Sequence, residues 1–144
     1  MSIAHILNDK GREVITAKPD SSVSEVALLL TKHDIGAVVI SNDKATVLGI
    51  VSERDIVREI SKNGSEALQL RAADIMTTNV YTSRPDDRET ELMALMTERH
   101  IRHVPVMQDG RLAGMISIGD VVKQRIEEIE REAAEMKAYI STSY

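Results

Sequence analysis

The pattern Ser-x-x-Asp follows a glycine-containing apolar segment at two matching places, as Ser52 to Asp55 and as Ser117 to Asp120. Each pattern lies where a predicted strand turns into a helix. The free N–H groups and positive dipole end of a helix N-terminus attract an anion, and a carboxylate beside them can accept both hydroxyls of a ribose. The pattern also resembles a capping box, so we expect both serines to cap their helices in either case.

Basic side chains that could hold a phosphate lie next to predicted element boundaries. Arg102 and His103 precede a strand, and Arg54 is the second residue of a helix. A guanidinium pairs with phosphate in a planar fork, and an imidazole N–H can also donate. The alternative is a solvated surface charge, which applies above all to Arg54.

Other kinds of chemistry find little support in the sequence. The spacing of His100 and His103 could suit a metal, but the chain has no cysteine and no third ligand at helical spacing. A glycine-rich phosphate loop ending in Lys-Ser/Thr is missing, and no Ser-His-Asp arrangement follows from spacing. We therefore expect no metal and no catalytic activity.

Composition limits the partners. The 144-residue chain carries a formal net charge of −5, has no Phe or Trp and contains three Tyr, which argues against nucleic acid binding. No apolar run approaches the roughly 20 residues that span a bilayer. The N-terminus lacks the basic start and apolar stretch of a signal peptide, so we expect a cytoplasmic protein that does not bind a membrane.

The sequence around these residues contains an internal repeat. At an offset of 66 residues, the first copy's Val14, Thr16, Pro19, Asp20, Glu25, Leu29, Thr31, Ile35 and Val38 reappear in the second. After a one-residue deletion in a predicted turn, Gly49, Ser52, Asp55 and Val57 match Gly114, Ser117, Asp120 and Val122. Such repeats predict a duplicated structural unit.

Each copy predicts the order β-α-β-β-α. Extended pieces at 13–16 and 79–82 run into a proline, and Asp20 or Asp86 could then cap the first helix. Strands follow at 37–40 and 48–51, and at 104–107 and 112–116. Gly64 should end the last helix of the first copy.

The last helix of the second copy has no such stop. Its apolar residues alternate in steps of four and three, which is typical of a heptad seam. They are Val122, Ile126, Ile129, Ala133, Met136 and Ile140.

At these residues the chain resembles a tandem pair of CBS motifs, the cystathionine β-synthase domain family, whose pairs are called Bateman modules. The resemblance rests on the segments 49–55 and 114–120, on His103-Val104-Pro105-Val106 and on Asp74-Ile75-Met76-Thr77. It implies one module over 1–144, with motifs at 3–63 and 70–124 related by a pseudo-twofold axis. A helical extension would occupy 125–144.

The resemblance also implies a ligand and its contacts. The ligand would be an adenosine nucleotide such as AMP, ADP or ATP, with NAD(H) and S-adenosylmethionine as further candidates. Asp55 and Asp120, with Ser52 and Ser117, would bind ribose, and Arg102, His103 and Arg54 would bind phosphate. The adenine pocket would comprise Thr16, Thr82, Val80, Ile35, Gly36, Ala37, Val104 and Pro105, although the two threonines could equally be ordinary strand residues.

The two copies differ at the phosphate position, because Gly36-Ala37 stands where the second copy has Arg102-His103. We expect phosphate to bind mainly through the second copy, with Asp120 more important than Asp55, unless basic residues reach across the pseudo-twofold axis. The leading hypothesis is a non-catalytic regulatory ligand sensor that forms a homodimer. The alternative is a structural dimerisation module with vestigial clefts. The regulated partner is not predicted.

Overall fold

The computed structural model describes residues 1–142, so Ser143 and Tyr144, the end of the predicted extension, lie outside the described residues. The helices are α1 Ile3–Lys10, α2 Val23–His33, α3 Glu53–Asn63, α4 Ala72–Ile75, α5 Glu89–Arg99 and α6 Ile118–Thr142, with a 3₁₀ helix at Gly64–Gln69. The strands are β1 Thr16–Ala17, β2 Ala37–Ile40, β3 Gly49–Ser52, β4 His103–Gln108 and β5 Arg111–Ser117. The predicted mixed α/β duplication is confirmed.

The two motifs build matching sheets of unequal completeness. In the first motif β1 pairs parallel to β2, and β2 pairs antiparallel to β3. In the second motif β4 and β5 form an antiparallel hairpin, but the predicted piece at 79–82 forms no strand. A single bridge between Ser83 and Val106 stands in its place.

Proline explains this difference between the sheets. In the first motif the Val39 N–H donates to the Ile15 carbonyl at 3.3 Å. The equivalent bond of the second motif would need an N–H from Pro105, which proline does not have. Pairing is therefore limited to Ser83, whose N–H donates to the Pro105 carbonyl at 3.0 Å.

The first helix of each motif begins later than predicted. Ser22, not Asp20, caps α2, and its hydroxyl accepts from the Glu25 N–H at 3.1 Å in a capping box. Asp20 has no acidic partner three residues on, whereas Ser22 has one. Likewise α5 begins after Arg88 and not after Asp86. Gly64, with φ of 63°, ends α3 as expected.

The segment before each motif packs on the other motif. Helix α1 belongs to the core of the second motif, where Leu7 lies so close to Gly114 that a Cβ there would be 2.6 Å from Leu7 Cδ2. Helix α4 and the chain after it belong to the first core, and Met76 lies equally close to Gly49. This exchange means that the space between the motifs is built from both halves of the chain.

Candidate functional site

An open cleft of about 550 Å³ lies between the two motifs. One wall is the end of β3 and the first turns of α3. The other wall comes from the second half of the chain, at residues 77, 79–81 and 100–103. A volume of this size is within the range of pockets that hold small ligands.

Asp55 is held rigidly at the cleft wall by the start of α3. Its Oδ2 accepts from the Ser52 N–H at 2.9 Å and from the Ser52 hydroxyl at 3.0 Å. The Ser52 hydroxyl in turn accepts from the Asp55 N–H at 3.2 Å. The predicted capping role of Ser52 is therefore confirmed, and Asp55 Oδ1 remains turned toward Arg58, whose Nη1 is 3.4 Å away.

The cleft is locally basic although the chain is acidic. Three arginines line it, Arg54, Arg58 and Arg102, against the carboxylates of Glu53 and Asp55. Arg54 and Arg102 are exposed, and Arg54 Nη1 donates to the His100 carbonyl across the cleft at 3.4 Å. An anion entering here would meet guanidinium groups from both motifs.

His103 lies where the two motifs touch. A Cβ placed on Gly36 would be 2.9 Å from its Cε1 atom, so any side chain at position 36 would force the imidazole to shift. Burial lowers the pKa of His103, which opposes the raising effect of Glu53. The imidazole is therefore mainly neutral near pH 7, and any bond to phosphate would be that of a neutral N–H donor.

The second Ser-x-x-Asp has a different environment. Ser117 caps α6 as expected, because its hydroxyl accepts from the Asp120 N–H at 3.2 Å. Asp120 Oδ2 accepts from the Ser117 N–H at 2.8 Å and from Lys10 Nζ at 2.6 Å. Lys10 also donates to the Met115 carbonyl at 2.7 Å. The Lys10 ammonium therefore already occupies Oδ2 of the Asp120 carboxylate.

The charge on Asp120 follows from these contacts. Burial alone would raise its pKa, but hydrogen bonds from Lys10 and Ser117 and the Lys10 charge together lower it. Asp120 is therefore an ionised partner of Lys10 and does not line the 550 Å³ cleft. Arg102 lines the same cleft as Asp55, on the side that belongs to the other motif.

The predicted adenine residues are divided by the fold. Gly36 and Val80 line the cleft. Thr16 lines a separate depression of about 430 Å³ beside α2. The others lie outside the cleft lining, with Ala37, Val104 and Pro105 buried in their strands, Ile35 half-buried and Thr82 exposed.

Sequence reasoning missed several lining residues. Thr77, Asn79, Tyr81 and Arg58 all face the cleft, and the Arg99 guanidinium lies over the Tyr81 ring at 5.2 Å. Tyr81 offers an aromatic surface where the first copy has Ile15. A signal was available, since Tyr81 is one of only three aromatic residues in the sequence.

Two further properties concern residues 1–142. No group of three or more His, Cys, Asp or Glu is arranged to hold a metal ion in that part of the chain. Within the same range, none of the helices has the length and apolar character needed to cross a bilayer.

Comparison with known proteins agrees with the duplicated fold. The family model described as "CBS domain" matches residues 7–62 and again 72–127. The chain belongs to the CBS-domain family. The two matches correspond to the two motifs, and the cleft lies between them.

Similar proteins include other CBS-domain proteins. A crystal structure of the CBS-domain containing protein ATU1752 from Agrobacterium tumefaciens has a TM-score of 0.84 and 45% identity, covering 87% of this chain and 99% of that one. The mitochondrial CBS domain-containing protein CBSX3 of Arabidopsis thaliana is 32% identical over 99% of this chain and 73% of its own length. The CBS pair of MJ0100, solved with 5′-methylthioadenosine and S-adenosylmethionine, has a TM-score of 0.78 and 26% identity, covering 89% and 98%.

Proposed function

We propose that this CBS pair is a non-catalytic regulatory module that binds an adenosine-containing ligand in the cleft between its motifs. The observation that carries the proposal is the meeting of Asp55 and Arg102 at one cleft. Asp55 supplies the carboxylate that a ribose needs, and Arg102 supplies the planar cation that suits a phosphate. The ligands bound to the MJ0100 pair support an adenosine group.

The charge of the cleft favours a phosphorylated ligand. Three guanidinium groups face two carboxylates there, and a guanidinium stabilises phosphate through charge-assisted hydrogen bonds. AMP, ADP and ATP fit this chemistry, as does the dinucleotide NAD(H). S-adenosylmethionine has no phosphate, so we rank it after the nucleotides.

The two ribose-binding carboxylates are proposed to be unequal. Asp55 lines the open cleft and its contact with Arg58 is long at 3.4 Å, whereas Asp120 does not line the cleft and is paired with Lys10 at 2.6 Å. We therefore assign the tighter site to Asp55, together with Arg102 and His103 from the other motif. This reverses the order that the alignment of the two copies suggested.

The assembly and location of the protein belong to the same proposal. The exposed apolar residues of α6, such as Ile126 and Ile129 at 51% and 50% exposed, favour a homodimer. A cytoplasmic location remains a prediction. The regulated partner would read the difference between the ligand-free and ligand-bound states.

The test is a calorimetric titration with AMP and with adenosine, which lacks the phosphate. Arg102→Ala should weaken AMP binding roughly ten- to a hundredfold, since a hydrogen bond to a charged group contributes about 1.5–3 kcal/mol. It should change adenosine binding much less. Asp55→Asn should weaken both ligands, because the ribose contact is common to them, while the amide can still accept from Ser52 and keep the cap.

Arg111→Ala is the matched control, because Arg111 is an exposed arginine at the start of β5 and outside the cleft lining. The control should bind both ligands like the parent. Equal AMP affinity in the parent and Arg102→Ala would refute the phosphate assignment. A parent protein that binds none of AMP, ADP, ATP, NADH or S-adenosylmethionine would instead favour the structural dimerisation module.

A further inference from the structure

Helix α6 extends far beyond the body of the protein. It has 25 residues, which corresponds to roughly 37 Å. Val121 and Gln124 near its start are buried, but every residue from Ile129 to Ser141 is exposed. Isolated helices of about 12–15 residues are marginal in water, so packing against another helix would stabilise the second half of α6.

A continuous apolar seam runs along α6 from Val122 to Ile140. Its large members range from 47% exposed at Val122 to 67% exposed at Met136. At 100° per residue, the seam faces roughly 120° away from the side of α6 that Val121 and Gln124 bury. A second helix can therefore approach the seam without displacing the body. In heptad terms, Ile126, Ala133 and Ile140 are the a positions, and Val122, Ile129 and Met136 are the d positions.

The charges beside the seam select a partner and an orientation. The e positions are Lys123, Glu130 and Lys137, and the g positions include Arg125 and Glu132. In a parallel pair, a g residue meets the e residue five positions on in the other chain. Arg125 then faces Glu130 of the partner subunit, and Glu132 faces Lys137 of the partner subunit.

An antiparallel pair that overlaps the whole seam brings like charges together. It faces Glu130 with Glu130 of the partner subunit, Glu132 with Glu132 of the partner subunit, and Lys123 with Lys137 of the partner subunit. Like charges at these positions oppose association. Within one chain, Arg125 Nη1 lies 3.2 Å from Glu128, one turn away, and the Arg125 side chain is 46% exposed, so it can exchange this contact for one with a partner.

We propose that α6 pairs with α6 of a second copy as a parallel two-stranded coiled coil. The occupant of the seam is this same chain, because a parallel pair in register overlaps the whole seam and also places opposite charges at its e and g positions. The coil holds the two bodies side by side at its N-terminal end. This goes beyond the ligand-binding role and does not depend on it.

Single-cysteine variants test the orientation cleanly, because the chain has no cysteine of its own. In a parallel coil each seam residue lies beside its counterpart, so Ile129→Cys and Met136→Cys should both form an intermolecular disulfide in a glutathione redox buffer. These two positions are seven residues apart, roughly 10 Å, so an antiparallel pair could bridge at most one of them. Arg131→Cys, on the face opposite the seam, is the control and should not cross-link.

Charge reversal tests the register. Arg125→Glu should raise the dimer dissociation constant several-fold, and the double variant Arg125→Glu, Glu130→Arg should restore it. The double variant does not restore the pair with Glu128 within the helix, so recovery requires contact between chains. Ile129→Asp should raise the dissociation constant by roughly a hundredfold or more, since two apolar side chains lose their burial.

Sedimentation or light scattering at roughly tens of micromolar protein provides the measurement. A cooperative urea transition in Ile129→Asp would show that the body still folds, and that any loss of dimer arises in α6. A strictly monomeric parent would overturn the proposal, as would a disulfide at only one seam position or an Ile129→Asp variant that still dimerises like the parent. Failure of nucleotide binding would leave these measurements unaffected.

Discussion

Lys10→Met is the substitution that most directly tests how the two halves of the module differ. Lys10 aligns with Met76 at the offset of 66 residues. The variant therefore gives the segment before the first motif the residue that the segment before the second motif has at the equivalent position. It removes the ammonium from Asp120 while keeping a long unbranched side chain.

The expected cost in stability follows from the contacts of Lys10. Its Nζ donates to Asp120 Oδ2 at 2.6 Å and to the Met115 carbonyl at 2.7 Å. The side chains of Lys10 and Asp120 are 32% and 22% exposed. A hydrogen bond to a charged group contributes about 1.5–3 kcal/mol and an exposed ion pair under 1 kcal/mol. For this partly screened pair we expect a loss of about 1–2 kcal/mol in the free energy of unfolding.

The loss should depend on pH with a definite sign. In the folded parent the pKa of Asp120 lies below its ordinary value of 3.8. A carboxylate with a lowered pKa stabilises the fold above the ordinary value, and this contribution disappears as the pH falls through the lowered pKa. The difference between parent and Lys10→Met should therefore be full at pH 7 and shrink below about pH 4.

Urea denaturation at several pH values measures this difference, and calorimetry with AMP measures the consequence for binding. We expect the number of AMP molecules bound per chain to rise from one in the parent to two in Lys10→Met. Lys62→Met, which removes an exposed ammonium in the last turn of α3, should change neither quantity. A variant as stable as the parent at pH 7 would refute the energetic argument. An unchanged stoichiometry would refute the idea that Lys10 closes the second site.

Two further substitutions test the packing and the contact between the motifs. Gly114→Ala should lower the free energy of unfolding by about 1–3 kcal/mol, because its Cβ would lie 2.6 Å from Leu7 Cδ2 in the core. The control Gly119→Ala, whose Cβ would lie 3.6 Å from the nearest atom, should be neutral or stabilising in the same urea titration. Burial lowers the pKa of His103, whose charged neighbours are Glu53, Lys10, Asp120 and Arg102. The parent should therefore lose stability as the pH falls below about 6.5, and His103→Gln should not show this loss. Equal pH profiles of thermal unfolding for parent and His103→Gln would contradict this reasoning.

The duplication and most of its elements could be predicted from local patterns. Strand β2 begins and ends as predicted, and the other strands of the hairpins differ by one or two residues. Ser52 and Ser117 cap their helices because the capping box is a local interaction three residues long. Predictions that depend only on residues close in sequence therefore agree with the structure.

The arrangement of the site was harder to predict, because it depends on contacts between distant residues. Lys10 and Asp120 are 110 positions apart, and no periodic pattern links a residue in α1 to the start of α6. Alignment of the two copies compared residues that are equivalent, such as Gly36 with Arg102. The cleft instead joins Asp55 of the first motif to Arg102 of the second.

The exchange of segments explains why equivalent residues do not share a site. Because α1 lies on the second motif and α4 on the first, every cleft between the motifs includes residues from both. Local sequence patterns do not show which motif each of these two segments packs against. One proline also altered the sheet, since Pro105 cannot donate the bond that Val39 makes in the first motif.

The composite cleft suggests how a bound ligand could act at a distance. The carbonyl of Arg102 accepts from the N–H of Ile118 at 2.8 Å, so the residue proposed to hold phosphate is bonded to the first residue of α6. Its neighbour His103 pairs with Ser117, which caps the same helix. A ligand that binds one position of Arg102 more tightly than another therefore also favours one position of the α6 N-terminus. Since α6 carries the exposed seam, we expect ligand binding and dimer stability to be linked, each changing the other by the same factor.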